Sequence, residues 1–385
     1  MFKSYMPFSE VGQGALSGIG KSIKQYGDCV LLAIDPYIDE FLGKKIERIL
    51  ISEGIHFVKT TDIQPNPSCF AVDDAAVLAR QAKCNVVLAV GGGSAIDFGK
   101  AVAIVALNPG KSWNYTKRKD HTILEPESVL PLIAVPTTAG TGTEATACAV
   151  LNNPSLREKS SIINDKIFPV KSFVDPELMV SMPSRLTAST GFDAFSHCLE
   201  AYISNASTPF ARMVAHEGMR IISKALPVAV KNGGYIDART EMAWGSLLGG
   251  AAISTVGAVL PHAMGQPVGG FCNAPHGETI AACMVEILKY GCDESKLHLF
   301  ADIADILDSS YSLRTIKQRA AACPELVASF LSQIGLNVRF SDFGLSVSDI
   351  DKVTDIAMTG YYFDIQCHPK KIDERDIKEL YRRCI

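Results

Sequence analysis

The texture of the sequence changes near Asp175, and that change decides the architecture. Before it, short runs rich in β-branched residues recur at 29–34 (CVLLAI), 56–59 (HFVK), 85–90 (NVVLAV), 131–135 (PLIAV) and 172–174. Helical patterns fall between several of them, as at 39–53 and 73–82. Strand–helix alternation of this kind specifies a parallel sheet covered by helices. After Asp175 strand-like runs nearly vanish, and helical periods follow at 184–203, 207–230, 237–257, 276–290, 313–335 and 371–383. The expected fold class is therefore α/β, with a Rossmann-like parallel-sheet domain over 1–178 and an all-helical domain over 179–385. Two domains also suit a chain of 385 residues.

Composition excludes several classes of function. A net charge of −4 gives no footprint for nucleic acid or an anionic membrane. The one basic run, Lys117-Arg118-Lys119, is closed by Asp120 and reads as a solvated loop. Eleven cysteines are scattered with no C-x-x-C pair, which fits reduced, mostly buried thiols in a cytoplasmic protein better than a disulfide scaffold. The N-terminus, MFKSYMPFSEVGQG, lacks the apolar core of a signal peptide. The stretch 243–275 carries no charge, but its glycines, prolines and two histidines read as a buried helix running into a polar-site loop, not a membrane span.

Two loops have the chemistry of an anion cradle. The run 85–90 ends in Gly91-Gly92-Gly93-Ser94 and opens a helix, AIDFGKAVAIVAL, with Asp97 placed in its first turn. Glycines there let the backbone approach a pyrophosphate, and the free N–H groups of the helix start point at it. A tight turn without a ligand would read the same. A second loop, Pro136-Thr137-Thr138-Ala139-Gly140-Thr141-Gly142-Thr143-Glu144, follows the run 131–135, so both should lie on one edge of the sheet. That coincidence tips the reading toward a dinucleotide. Asp35 ends CVLLAID, where a carboxylate can accept from a ribose 2′-hydroxyl and would repel a 2′-phosphate, favouring NAD over NADP. It also reads as a helix N-cap before Pro36, and the two roles are compatible.

The helical half carries candidate metal ligands. Asp193 and His197 are four residues apart and project from one helix face. Alone such a pair is often a surface hydrogen bond. His262 and His276 sit in PHAMGQPVGGFCNAPHGE, inside the uncharged stretch, and a buried histidine needs a partner. One carboxylate and three imidazoles suit Fe²⁺, Zn²⁺, Mn²⁺ or Co²⁺. His56, His121, His216 and His298 have no such setting.

At GGGSAIDFGK, PTTAGTGTEAT, VDPELM, LTASTGFDAFSHCLEAYIS and PHAMGQPVGGFCNAPHGE the chain resembles the iron-containing (group III) alcohol dehydrogenases, over nearly its whole length. The resemblance implies a nucleotide domain followed by a helical metal domain, with Asp193, His197, His262 and His276 as metal ligands. It implies NAD(P) contacts at Asp35, Asn66, Gly92, Gly93, Ser94, Thr137, Thr138, Thr141, Thr146 and Lys159. It implies Fe²⁺, with Zn²⁺ as a substitute, and hydride transfer between NAD(H) and a small primary alcohol or aldehyde. It also implies a homo-oligomer, a dimer or larger.

Two positions depart from the family pattern. Gln266 stands where members often carry a proton-relaying histidine, and glutamine cannot titrate. Cys367-His368-Pro369 replaces a common Asn-Pro beside the family's substrate pocket. Glycerol dehydrogenases and dehydroquinate synthases share the architecture. The synthase needs a basic cluster for a phosphorylated substrate, which the metal segments lack. A catalytically impaired NAD-binding assembly protein is a further reading that Gln266 leaves open.

Overall fold

The computed structural model describes residues 7–118, 122–291 and 293–385. Lys119, Asp120 and His121 lie outside the described residues, as do Cys292 and the first six residues of the N-terminal stretch. Contacts divide the chain into two compact units, residues 7–138 with Gly142–Met179, and Ala139–Thr141 with Val180–Ile385.

The first unit contains strands β1 Ser9–Val11, β2 Cys29–Ile34, β3 His56–Thr60, β4 Val86–Gly91, β5 Leu132–Pro136, β6 Cys148–Asn153, β7 Glu158–Ile163 and β8 Lys171–Val174. Its helices are α1 Ile19–Ile23, α2 Pro36–Ile38, α3 Lys44–Ser52, α4 Cys69–Gln81 and α5 Gly93–Val105. Six strands form one parallel sheet in the order β1-β8-β5-β4-β2-β3, while β6 and β7 pair as an antiparallel hairpin.

Alternation explains the layers. Leu31, Ala33, Val87, Ala89, Leu132 and Ala134 face one core with α4 and α5. Val30, Leu32, Ile34, Val86, Leu88, Val90, Ile133 and Val135 face the other with α1 and α3. Strands apolar on both faces belong in a sheet covered on both sides, and each fully buried Val, Leu or Ile contributes roughly 1.5–3 kcal/mol. From β2 the chain turns outward to β3, then returns to β4 on the other side of β2. The loops after β2 and β4 therefore diverge, which opens a crevice at the carboxyl ends of these two strands.

The second unit is helical, with α6 Ser184–Ile203, α7 Pro209–Lys231, α8 Ile236–Val256, α9 Leu260–Phe271, α10 His276–Tyr290, α11 Leu297–Leu307, α12 Ile316–Gln333, α13 Ile350–Gly360, α14 Tyr362–Cys367 and α15 Glu374–Cys384. α6 is buried around nearly its whole circumference and packs against α7, α8 and α10. A separate apolar core joins α9, α10, α13 and α15.

The stretch 243–275 differs from its expected form. Where a loop was expected, α9 forms, turned 102° from α8. Pro261 falls in its first turn, where the missing N–H is not needed, so a residue that reads as a breaker opens a helix. Among the described residues no single helix is long and apolar enough to cross a membrane. The described cysteines are free thiols, and Cys69, Cys84, Cys198, Cys283, Cys323, Cys367 and Cys384 are buried.

Candidate active site

Asp193 and His197 lie on the buried middle of α6, His262 in the first turn of α9, and His276 at the first position of α10. Their ligand atoms all fall within 4.8 Å of one another. The Nε2 atoms of His197, His262 and His276 stand 3.8, 3.6 and 3.5 Å from Asp193 Oδ1. Four ligands about 2.1 Å from one tetrahedral ion would be separated by roughly 3.4 Å. Asp193 Oδ1 is buried and accepts no hydrogen bond, a costly arrangement unless a cation completes it. The residues therefore fit a divalent transition ion. His276 is the most open of the four, its side chain 25% exposed against 8% or less for the others.

Close backbone packing brings these ligands together. Gly277, next to His276, meets α6 so tightly that a Cβ there would lie 2.1 Å from the Ser189 carbonyl oxygen. Only glycine lets α10 start at that point.

A second carboxylate orients the cluster. Glu200 is fully buried, and its Oε1 lies 2.6 Å from His262 Nδ1 and accepts from Ser196 Oγ at 2.6 Å. Its Oε2 accepts from the Val259 amide at 2.8 Å. Donation from His262 Nδ1 leaves the Nε2 lone pair facing the cluster, the tautomer a metal ligand needs. The neighbouring carboxylates favour positive charge at this ring, which a proton on Nε2, or a metal ion displacing that proton, would supply. Burial resists a charge on His262, but Glu200 and Asp193 outweigh it and hold the imidazole at about 10. Burial likewise opposes charge on Asp193, yet His197, His276 and His262 keep it well below the usual carboxylate range. Burial pushes His197 down.

In the sheet unit, Gly91 ends β4 at φ +147°, and a Cβ there would meet Ala95 Cβ at 2.7 Å and Asp35 Cβ at 2.9 Å. No side chain caps the start of α5, so its first N–H groups are free for an anion. The two loops do share one edge, since Gly91 pairs with Pro136 and the Thr137 amide donates to the Gly91 carbonyl. Thr138 faces Gly92, and the Asn66 amide donates to Ser94 Oγ at 3.2 Å. Asp35 caps α2, accepting from the Tyr37 and Ile38 amides. Lys159 is buried on β7 opposite Asn152, whose amide donates to the Pro67 carbonyl. The hairpin thus reaches the loop that carries Asn66.

Residues 8–176 match the family description "Iron-containing alcohol dehydrogenase", and residues 187–385 match "Fe-containing alcohol dehydrogenase family, C-terminal". The chain belongs to the iron-containing alcohol dehydrogenase family. It is 31% identical over 385 residues to the NAD-dependent methanol dehydrogenase of Bacillus methanolicus, covering 98% of each chain. It is 33% identical over 379 residues to long-chain-alcohol dehydrogenase 1 of Geobacillus thermodenitrificans, covering 98% of this chain and 95% of that one. Among solved structures it is similar to an archaeal alcohol dehydrogenase from a Red Sea brine pool, with TM-score 0.96 and 30% identity over 100% of this chain and 99% of that one. As a member of this family it is an oxidoreductase acting on the CH–OH group of alcohols or on the matching aldehydes. The glycerol dehydrogenase, synthase and assembly-protein readings gain nothing from these likenesses.

Within this alcohol dehydrogenase fold, three features were not read from the sequence. Glu200 lies seven residues after Asp193, on the same helix face, and that spacing was the available signal. Asp97 is not a first-turn acid. It is half-buried and accepts from Thr143 Oγ1 at 2.5 Å and the Val150 amide at 2.9 Å. Lys100, fully buried, donates to Thr143 O and Oγ1, Thr146 O and Oγ1, and Cys148 O, all within 3.1 Å. Burial raises Asp97 and lowers Lys100, each opposing the other's shift. The pair pins Thr143 and Thr146. Thr141, by contrast, groups with the helical unit. Gln266 is buried one turn beyond His262, and its Oε1 has no hydrogen-bond partner.

Proposed function

We propose that this enzyme transfers a hydride between NAD(H) and a small primary alcohol or aldehyde, with Fe²⁺ held by Asp193, His197, His262 and His276. The observation that carries the reading is the convergence of four ligand atoms within 4.8 Å in a chain of this family. Zn²⁺ would fit the same donors. When bound, the ion supplies Lewis-acid stabilisation of negative charge on the substrate oxygen.

The chain's own residues do the rest. Residues 1–178 form the dinucleotide domain and 179–385 the metal and substrate domain. The N–H groups at Gly92, Gly93 and Ser94 take the pyrophosphate, and Asp35 takes the ribose hydroxyl, which favours NAD over NADP. Asn66, Thr137, Thr138, Thr141, Thr146 and Lys159 complete the cofactor contacts. Glu200 fixes the His262 tautomer. Gln266 can hold a water but cannot accept the alcohol proton, so the proton leaves through water or a ribose hydroxyl. The enzyme is cytoplasmic and assembles as a homo-oligomer, a dimer or larger.

His262→Ala and His276→Ala test the ligand set. Each should lose bound iron, measured by elemental analysis after dialysis, together with alcohol oxidation. Full metal content and full activity in either variant would contradict the reading.

A further inference from the structure

The helical unit holds a third carboxylate near the cluster that the functional reading leaves unused. Asp364 lies on α14, which packs against α9, the helix of His262 and Gln266. Its Oδ1 stands 3.8 Å from the point where a side chain at Gly257 would begin, and the Phe363 ring edge flanks that point at 3.7 Å. Gly257 precedes by two residues Val259, whose amide is bound by Glu200, the partner of His262. Asp364 thus borders the segment that supports the metal ligands.

Its carboxylate is half-buried and, among the described residues, has no hydrogen bond or ion pair. The charged groups acting on it are His262 and Glu200. Burial pushes Asp364 up to about 7, with His262 opposing and Glu200 adding to the rise. No charged side chain occurs between Ala243 and Pro275 to compensate. Three imidazoles face Asp193, and His262 faces Glu200, so both of these carboxylates have partners within the cluster. Among the described residues no cation pairs with Asp364, which is partly open beside the Phe363 ring, and a cation bound there would favour its ionised form.

We propose that Asp364 and Phe363 form a subsite for a positively charged group, so that the preferred substrates are short amino alcohols or quaternary ammonium alcohols and their aldehydes. A cation there gains from the carboxylate in a partly desolvated setting, and an alkylated ammonium gains further from the ring. The proposal rests on the reading of the four-ligand cluster as the place where the alcohol is oxidised.

The test compares choline with its neutral isostere 3,3-dimethylbutan-1-ol in the iron-loaded enzyme, together with 1,3-propanediol. The wild type should favour choline in kcat/KM by about tenfold or more, the scale of one charge contact. Asp364→Asn should lower the choline-to-isostere ratio by about tenfold, and Asp364→Glu should restore part of it. Calorimetry of choline binding should give the same loss of affinity in the Asn variant, with iron content and melting temperature unchanged as the check on folding. Equal use of choline and its isostere, or a ratio that Asp364→Asn does not move, overturns the subsite. So does a preference for the diol that disappears in Asp364→Asn, because the carboxylate would then be reading a hydroxyl. If no alcohol is oxidised and none binds, the reading of the cluster itself fails, a result distinct from turnover without charge preference.

Discussion

Glu200 shows how one side chain can govern a site it does not enter. It receives Ser196, Val259 and His262, so it joins α6 to α9 and selects the His262 tautomer. Glu200→Gln keeps the shape but places an amide where one of those donors must point. Partners of this kind contribute about 10–100-fold to metal affinity. The expected result is a loss of that size in Fe²⁺ affinity by anaerobic titration, with helical circular dichroism retained. His368 presents a different case. It is buried with both ring nitrogens unpartnered, and burial, helped by Lys370, pushes its pKa down to about 3. The folded state therefore holds this ring neutral while the unfolded chain binds a proton below about 6.5. Stability from this group is complete above that value and falls as pH drops toward 3, by roughly 1.4 kcal/mol per pH unit. Urea midpoints at pH 7 and pH 5 should show a steeper loss in the wild type than in His368→Leu. Equal slopes would show that the ring does not titrate this way.

At the level of elements, the candidate ligands converge because α10 meets α6 and α9 at glycines while Glu200 ties α9 to α6. Gly277 is the tightest point, against the Ser189 carbonyl. Gly277→Ala should push α10 away from α6, destabilise by about 1–3 kcal/mol in denaturant unfolding and reduce bound iron. An unchanged metal content would mean that the approach is not needed to place His276. The same elements show what sequence patterns carry. The four clustered residues were legible because Asp193 and His197 keep helical spacing and both later histidines lie in an uncharged stretch. The sheet was legible because its strands are apolar on both faces. α9 was not, since Pro261, Gly265 and Pro267 act as breakers unless tertiary packing overrides them. The β6–β7 hairpin mixes polar residues into both strands (CAVLNN, EKSSII), so its alternation is blurred. α14 spans only six residues, too few for a period, and Asp364 was hidden with it. The Lys100 strut is a contact 43 to 48 residues along the chain, which no local pattern records.

For the whole molecule, the proposed reaction needs both an ion on the Asp193, His197, His262 and His276 cluster and a dinucleotide on the β2/β4/β5 edge. The direct measurement is absorbance at 340 nm with metal-stripped protein, short aldehydes, and NADH or NADPH, before and after Fe²⁺ is restored. NADH oxidation that returns with the metal, exceeds NADPH oxidation and is absent in His276→Ala is the predicted result. Oxidation that proceeds unchanged without metal, or no turnover with Fe²⁺ or Zn²⁺ despite tight NADH binding, would contradict it.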